Sequence, residues 1–335
     1  MNDFLPGAPL TINWAVTNKC NFRCSHCYSR NDPSDELGLD LLCKCIEGVA
    51  RAGVLSINFG GGEPLQRKDL MEIAKFASQN GLRVSMNSNG FLIDSGKAAE
   101  LKDNGFSKVG ISIDSHRPVV HDEFRGVKGS HEKAVRALDC LNKAGIETSI
   151  STVICKINHR DLDALIAFAI QNKVRHLNFH NFKCSGLGYS NKDILDLTAE
   201  EWRDFYLHAL EAKHKIKDMD ISLDDPVIAL LGANKNDSMV RGSICGKLSV
   251  NIKANGDITP CGFIPMVIGS IIKDDLRDLW KNSPVLEKMR NKIPKGKCVT
   301  CGHYTDCLGG CTARAIALTG DMNNPDPHCW HHESG

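Results

Sequence analysis

The chain has 335 residues, and its 41 Lys and Arg against 40 Asp and Glu leave a net charge of +1. So balanced a surface sets up no global field to recruit nucleic acid or an anionic membrane, and no apolar run approaches the ~20 residues needed to span a bilayer. Hydrophobic content of 42% with 24% charge suits a globular protein with one barrel-sized domain, or a large domain and a smaller one.

The first residues, MNDFLPGAPL, carry neither a basic start nor a long apolar core, so no signal peptide is read and a cytoplasmic protein is expected. Fifteen cysteines in such a chain argue for metal ligands over a disulfide framework. Three fall at 20–27 and seven at 245–329, while Cys43, Cys45, Cys140, Cys155 and Cys184 are scattered.

The first strand candidate is LTINWAV (10–16). It runs into TNKCNFRCSHCYSR, where Cys20, Cys24 and Cys27 have C-x3-C-x2-C spacing. Three thiolates this close can hold one iron–sulfur cluster. With no fourth cysteine nearby, one iron stays open to bind and activate a small molecule. A zinc site or scattered buried thiols is the other reading. Further strands are read at VLSINF (54–59), LRVSMNS (82–88), KVGISID (108–114), ETSISTVI (147–154) and VRHLNFHNF (174–182). Helical patterns lie between them near 36–51, 68–80, 95–104, 131–144 and 160–172, and Gly53, Gly81, Gly105 and Gly145 suit helix C′ positions. Repeated βα units mean a parallel sheet, which carries its chemistry at the C-terminal strand ends. The cysteine triplet follows the first strand and belongs at that end.

Beyond 184 the pattern changes. KCSGLGYSNKD reads as a loop, and 197–215 as a helix with a Thr198/Glu201 capping box. Its WRDFYLHAL stripe reads as a packing face. SLDDPVIALLGANKNDSMVRGS reads as a connector. KLSVNIK and DITPC around Asn255-Gly256 then predict a hairpin.

These residues resemble a radical S-adenosylmethionine (SAM) enzyme with a C-terminal SPASM extension. The cysteine triplet has the family spacing. Gly61-Gly62-Glu63-Pro64 after the second strand matches the motif that binds the SAM amino group, and a carboxylate suits an ammonium. HDEFRG offers Arg125 to the SAM carboxylate or ribose. His26 stands where the family has an aromatic residue near adenine, or else fills the loop. Asn87, Ser88, Ser112 and Asp114 end strands and are expected to line the SAM and substrate pocket. In the second half Cys245, Cys261, Cys298, Cys301, Cys307, Cys311 and Cys329 follow the seven-cysteine SPASM pattern, where a zinc ribbon would leave three cysteines idle.

The resemblance implies a partial (β/α)6 barrel over 10–185, a helical bridge over 186–240 and a cysteine-rich auxiliary domain over 241–330. It implies three [4Fe–4S] clusters and SAM. Cys245, Cys261 and Cys311 would serve the first auxiliary cluster, and Cys298, Cys301, Cys307 and Cys329 the second. The stretch NDSMVRGSI before the pattern supplies no fourth ligand to the first, so an open iron or a non-cysteine ligand is expected there. The reaction implied is reductive cleavage of SAM to methionine and a 5′-deoxyadenosyl radical, which abstracts a substrate hydrogen. Auxiliary clusters suit oxidation, cross-linking or decarboxylation. An epimerase would need a thiol hydrogen donor, for which Cys184 is the better placed candidate and Cys155 the other. The tail HCWHHESG reads as cluster surroundings rather than a histidine metal site. Family members mature ribosomal peptides or proteins, trim tetrapyrrole side chains, or oxidise and epimerise sugars. Peptide or protein maturation is the leading expectation, a small-molecule reaction the alternative, and a non-enzymatic electron carrier would not explain GGGEP. With the triplet starting at residue 20, a leader peptide would be presented by a separate small protein. A flavodoxin or ferredoxin is the expected reductant.

Overall fold

Six strands lie side by side and parallel: β1 (Thr11–Thr17), β2 (Ser56–Gly61), β3 (Arg83–Ser88), β4 (Phe106–Ser112), β5 (Glu147–Ile154) and β6 (His176–Asn181). They belong to a computed structural model that describes residues 5–29, 34–232 and 240–331. The helices between them are α1 (Leu39–Arg51), α2 (Leu70–Gln79), α3 (Ser95–Asp103), α4 (Pro118–Arg125), α5 (Ser130–Lys143) and α6 (Leu162–Gln171). The four expected C′ glycines all take positive φ. Helix α4 was not expected. It has only two turns, opened by Pro118 at its start and closed by left-handed Gly126, too few residues for a periodic pattern to register.

Two additions extend this sheet to ten strands. On one side β7 (Asp220–Leu223) pairs parallel with β6, inside the stretch expected to be a helical bridge. On the other, β8 (Ser249–Ile252), β9 (Asp257–Thr259) and β10 (Gly269–Ser270) continue the order as β10-β9-β8-β1. The expected hairpin forms, with β8 antiparallel to β9. Strand β8 also pairs parallel with β1, Thr11 opposite Ser249 through Trp14 opposite Ile252. The cysteine-rich region thus grows out of the same sheet that carries the first cysteine loop. Sequence alone could not show this, because four-residue strands contain too few alternations to reveal a partner.

One face of the strands packs the core. Ile12, Trp14 and Val16 of β1 and Leu42, Ile46 and Val49 of α1 are buried in one cluster, each large side chain contributing about 1.5–3 kcal/mol by burial. The helix Ala199–Lys215 carries the expected capping box, worth about 1 kcal/mol. It buries Trp202, Phe205 and Tyr206, so the aromatic stripe is a packing face. Arg314 locks the halves together. It is fully buried and donates to both Asp225 carboxylate oxygens at 3.0 Å and to Asp326. Asp225 also accepts from Tyr206 Oη at 2.8 Å and Asn181 Nδ2 at 2.5 Å. Removing one member of such a buried network costs about 3–5 kcal/mol.

Candidate active site

The second face of the parallel strands is polar. Asn13, Asn58, Asn87, Ser112, Ser151 and His180 sit at alternating positions and line one cavity. Buried parallel strands ordinarily read as apolar throughout, so these side chains line a space rather than a core. They form cross-strand ladders: Asn58 Nδ2 donates to Asn13 Oδ1 at 3.2 Å, and Ser85 Oγ to Asn58 Oδ1 at 3.1 Å. The cavity measures about 2100 Å³ counted out to its open mouth.

Cys20, Cys24 and Cys27 sit on the loop after β1 and reach this cavity. Three neighbours hold that loop. Arg23 N and Ser25 N donate to the carbonyls of Arg125 and Phe124 at the end of α4, at 3.2 and 3.1 Å. Gly62 N and Glu63 N donate to Thr17 O and Lys19 O, both at 2.8 Å. Leu187 N donates to Cys27 O at 2.9 Å. The contact with Gly61 and Gly62 leaves no room for a side chain: a Cβ would collide with Thr17 O at the first and Lys19 O at the second, and Gly61 has φ +120°.

Glu63 is buried in the cavity wall. Its carboxylate accepts from Ser88 Oγ and Asn89 N at 2.8 Å and from Leu65 N at 3.3 Å. Burial still pushes its pKa above the usual carboxylate value, so a ligand cation beside it would be stabilised. Arg125 Nε donates to Asp114 Oδ2 at 2.6 Å, and its Nη1 lies 3.9 Å from Cys24 Sγ. Burial works against the Asp114 charge, but the guanidinium holds the carboxyl below its usual range. His26 stacks on Phe124 with ring centroids 4.4 Å apart, and burial pulls it down to about 4. Its buried Nδ1 has no hydrogen-bond partner among the described residues, and the ring lines the cavity.

Seven further cysteines fall into two groups, and none of the fifteen forms a disulfide. Cys245, Cys261 and Cys311 line the main cavity beside the first triplet. Cys245 and Cys261 interact through their thiols, which lowers Cys245 from the usual thiol value and, with burial, pushes Cys261 well up. Cys298, Cys301, Cys307 and Cys329 line a separate small hollow, about 310 Å³ counted out to its open mouth, with His331 on its wall. Among the described residues no three His, Cys, Asp or Glu side chains close on a point that would hold a single metal ion. Four thiols around a void suit a multi-iron cluster, whereas tetrahedral zinc needs them converged on one centre. The donor sets therefore fit iron–sulfur clusters. The last four residues of the HCWHHESG tail and 236–239 of NDSMVRGSI lie outside the described residues.

Three expected site residues are placed elsewhere. Asp114 does not line the cavity; it is fully buried behind Arg125. Pro64 is buried as the first residue of a short 3-10 turn that Glu63 caps. Cys184, expected as a hydrogen donor, is not among the residues lining the cavity: it is 3% exposed, its Sγ donates to Asp196 Oδ2 at 3.4 Å, and burial pushes it to about 12. Cys155 is wholly buried too. Asn87, Ser88 and Ser112 all line the cavity, and Ser88 also donates to Glu63. Sequence reasoning missed His180, Lys183 and Asp224, which all line it. His180 Nδ1 bonds Asp224 Oδ2 at 2.8 Å. The available signal was HLNFHN, in which His176, Asn178 and His180 alternate with apolar positions along the strand.

A family model described as the radical SAM superfamily matches residues 14–169, and one for an iron–sulfur cluster-binding domain, SPASM, matches 245–303. The chain is 30% identical to the AdoMet-dependent heme synthase of Methanosarcina barkeri, over 97% of each protein. It is 31% identical to the mycofactocin maturase MftC of Mycolicibacterium smegmatis, over 96% of this chain and 83% of that protein. Among solved structures, Streptococcus suis SuiB bound to its precursor peptide SuiA superposes with a TM-score of 0.81 at 19% identity, covering 98% of this chain and 77% of that one. The anSMEcpe structure with bound AdoMet gives 0.77 at 20% identity, over 96% and 94%. At such identities the two structures speak for the fold.

Proposed function

The chain belongs to the radical SAM superfamily and carries a SPASM domain, and from that premise we propose that it is a maturase of a ribosomally made peptide or protein, which it oxidises, cross-links or decarboxylates. It is an enzyme of iron–sulfur clusters and SAM. We assign the SAM-binding cluster to Cys20, Cys24 and Cys27. The first auxiliary cluster goes to Cys245, Cys261 and Cys311, and the second to Cys298, Cys301, Cys307 and Cys329. SAM goes to Gly61, Gly62, Glu63, His26, Asn87, Ser88, Ser112 and Arg125, with Pro64 and Asp114 supporting them.

When bound, the cluster and SAM together supply a carbon radical that removes a hydrogen atom from the substrate. The chain's own residues do the rest. Glu63 offers a carboxylate to an ammonium, and Arg125 offers a cation beside Cys24. The inner strand face holds the substrate in place and keeps water from the reacting carbon. Oxidation by two electrons also releases a proton, and His180, oriented through Nδ1 by Asp224, receives it at Nε2. Among the described residues, the cysteines lining the cavity are the six assigned to clusters, so no thiol is left there to return a hydrogen. That favours net oxidation over epimerisation.

The observation that carries the peptide reading is a second groove of about 1210 Å³, again counted to its mouth. It shares Tyr28, Gly262 and Ile264 with the main cavity and continues past Ser185, Leu187 and Lys253. A compact ligand needs roughly 300–1,000 Å³, whereas an extended chain can lie along the groove and insert one side chain. Decarboxylation of a tetrapyrrole side chain is the second reading, favoured by the end-to-end match to the heme synthase. Among the described residues no helix is long and apolar enough to cross a membrane. We place the enzyme in the cytoplasm, with a flavodoxin or ferredoxin as reductant and a separate protein presenting the leader. The test is 5′-deoxyadenosine formation by the reduced, reconstituted enzyme with host extract, with and without protease treatment. Stimulation destroyed by protease supports the peptide reading; stimulation that survives it transfers support to a small molecule.

A further inference from the structure

We propose that Lys183 sets the reduction potential of the cluster at Cys245, Cys261 and Cys311 by donating a charged hydrogen bond to a ligand sulfur. The inference rests on that cluster assignment. Lys183 Nζ lies 3.4 Å from Cys311 Sγ, within range of an N–H···S bond. Cys311 is buried, 5% exposed, so the interaction is poorly screened by water. The ammonium also lies 5.7 Å above the Phe263 ring, two residues after Cys261. Both carboxylates that could compete are engaged elsewhere: Asp224 holds His180 and Asp225 holds Arg314. Among the described residues, the Cys311 sulfur is the one hydrogen-bond acceptor of Lys183.

The physical consequence has a definite sign. A reduced cluster carries one more negative charge than an oxidised one. A cation hydrogen-bonded to its sulfur favours the reduced form and raises the potential. Lys183 lines the cavity together with Cys245, Cys261 and Cys311, so this charge borders both the substrate space and the cluster site. Its backbone continues into the loop whose Leu187 N holds Cys27 O, which fixes the lysine relative to both cysteine groups. Lys183 is therefore a positioning residue acting through sulfur. It makes the cluster a better acceptor for the one electron that leaves the substrate after hydrogen-atom abstraction.

The test is a redox titration followed by electron paramagnetic resonance on the reconstituted full chain. The signal of this cluster is identified as the one lost in Cys311→Ser. In Lys183→Met that signal should titrate at a more negative potential while the others stay in place. Lys183→Arg, which keeps the charge, should restore most of the shift. An unchanged potential in Lys183→Met with the signal intact would overturn the role of Lys183 alone. If Cys311→Ser removes neither iron nor any signal, the cluster assignment fails and the inference falls with it.

Discussion

Arg125 Nε donates to Asp114 Oδ2 across 2.6 Å, with both side chains buried and Nη1 of the same guanidinium 3.9 Å from Cys24 Sγ. Asp114 thus orients a cation toward the first cysteine group and offsets its charge. Asp114→Ala leaves that cation buried and unpaired, a loss of about 3–5 kcal/mol. Thermal unfolding should show a large drop, and SAM binding should weaken with it. A variant as stable as the parent would show that the pair is not a support.

A second consequence concerns pH. His121 is fully buried, and its Nδ1 accepts from Asp114 N at 3.2 Å. Burial pulls its pKa to about 4, against about 6.5 in an unfolded chain. Between those values the unfolded chain binds a proton that the folded one refuses, so stability falls as pH drops from 6.5 toward 4. The slope approaches about 1.4 kcal/mol per pH unit for one such group. Melting temperatures at pH 7, 6 and 5 should decline in the parent and decline less in His121→Gln. Parallel curves would contradict the assignment.

His180 and Asp224 make a kinetic prediction. Enclosure works against a charged His180, but Asp224 outweighs it and raises the pKa; Lys183 opposes this and Asp114 adds to it. A base must be neutral to accept a proton, so the acid limb of product formation should lie above about 6.5. Asp224→Asn should move that limb to lower pH, and His180→Gln should slow product formation by about 10²–10⁴. Product formed from the active fraction of host extract, followed against pH, provides the readout. An unmoved limb in Asp224→Asn would remove the dyad from the reaction.

Cys184 is expected to be dispensable. It lies outside the cavity and donates to Asp196, so Cys184→Ala should retain product formation within about twofold. An abrupt loss, with stereochemical inversion in the parent product, would restore it as a hydrogen donor.

Much of this architecture was legible because it is written in local patterns. Strand β5 was read to the residue, since ETSISTVI alternates cleanly over eight positions. The first cysteine triplet stood out by its spacing, and the division of the seven C-terminal cysteines was implied by the family resemblance. What stayed hidden depends on partners distant in sequence. Nothing in KLSVNIK says that β8 pairs with β1, more than 230 residues away. Asp224 becomes part of a site only because β7 lies beside β6. Asp114 was read as a pocket residue because it follows a strand end, yet the arginine it holds comes between it and the cavity.

The most direct test of the account is iron content and 5′-deoxyadenosine formation in the Cys20→Ala/Cys24→Ala/Cys27→Ala protein. Three four-iron clusters give about twelve irons per chain. The account predicts that the variant retains about eight and forms no 5′-deoxyadenosine from SAM. Continued 5′-deoxyadenosine formation, or loss of all the iron together, would contradict it.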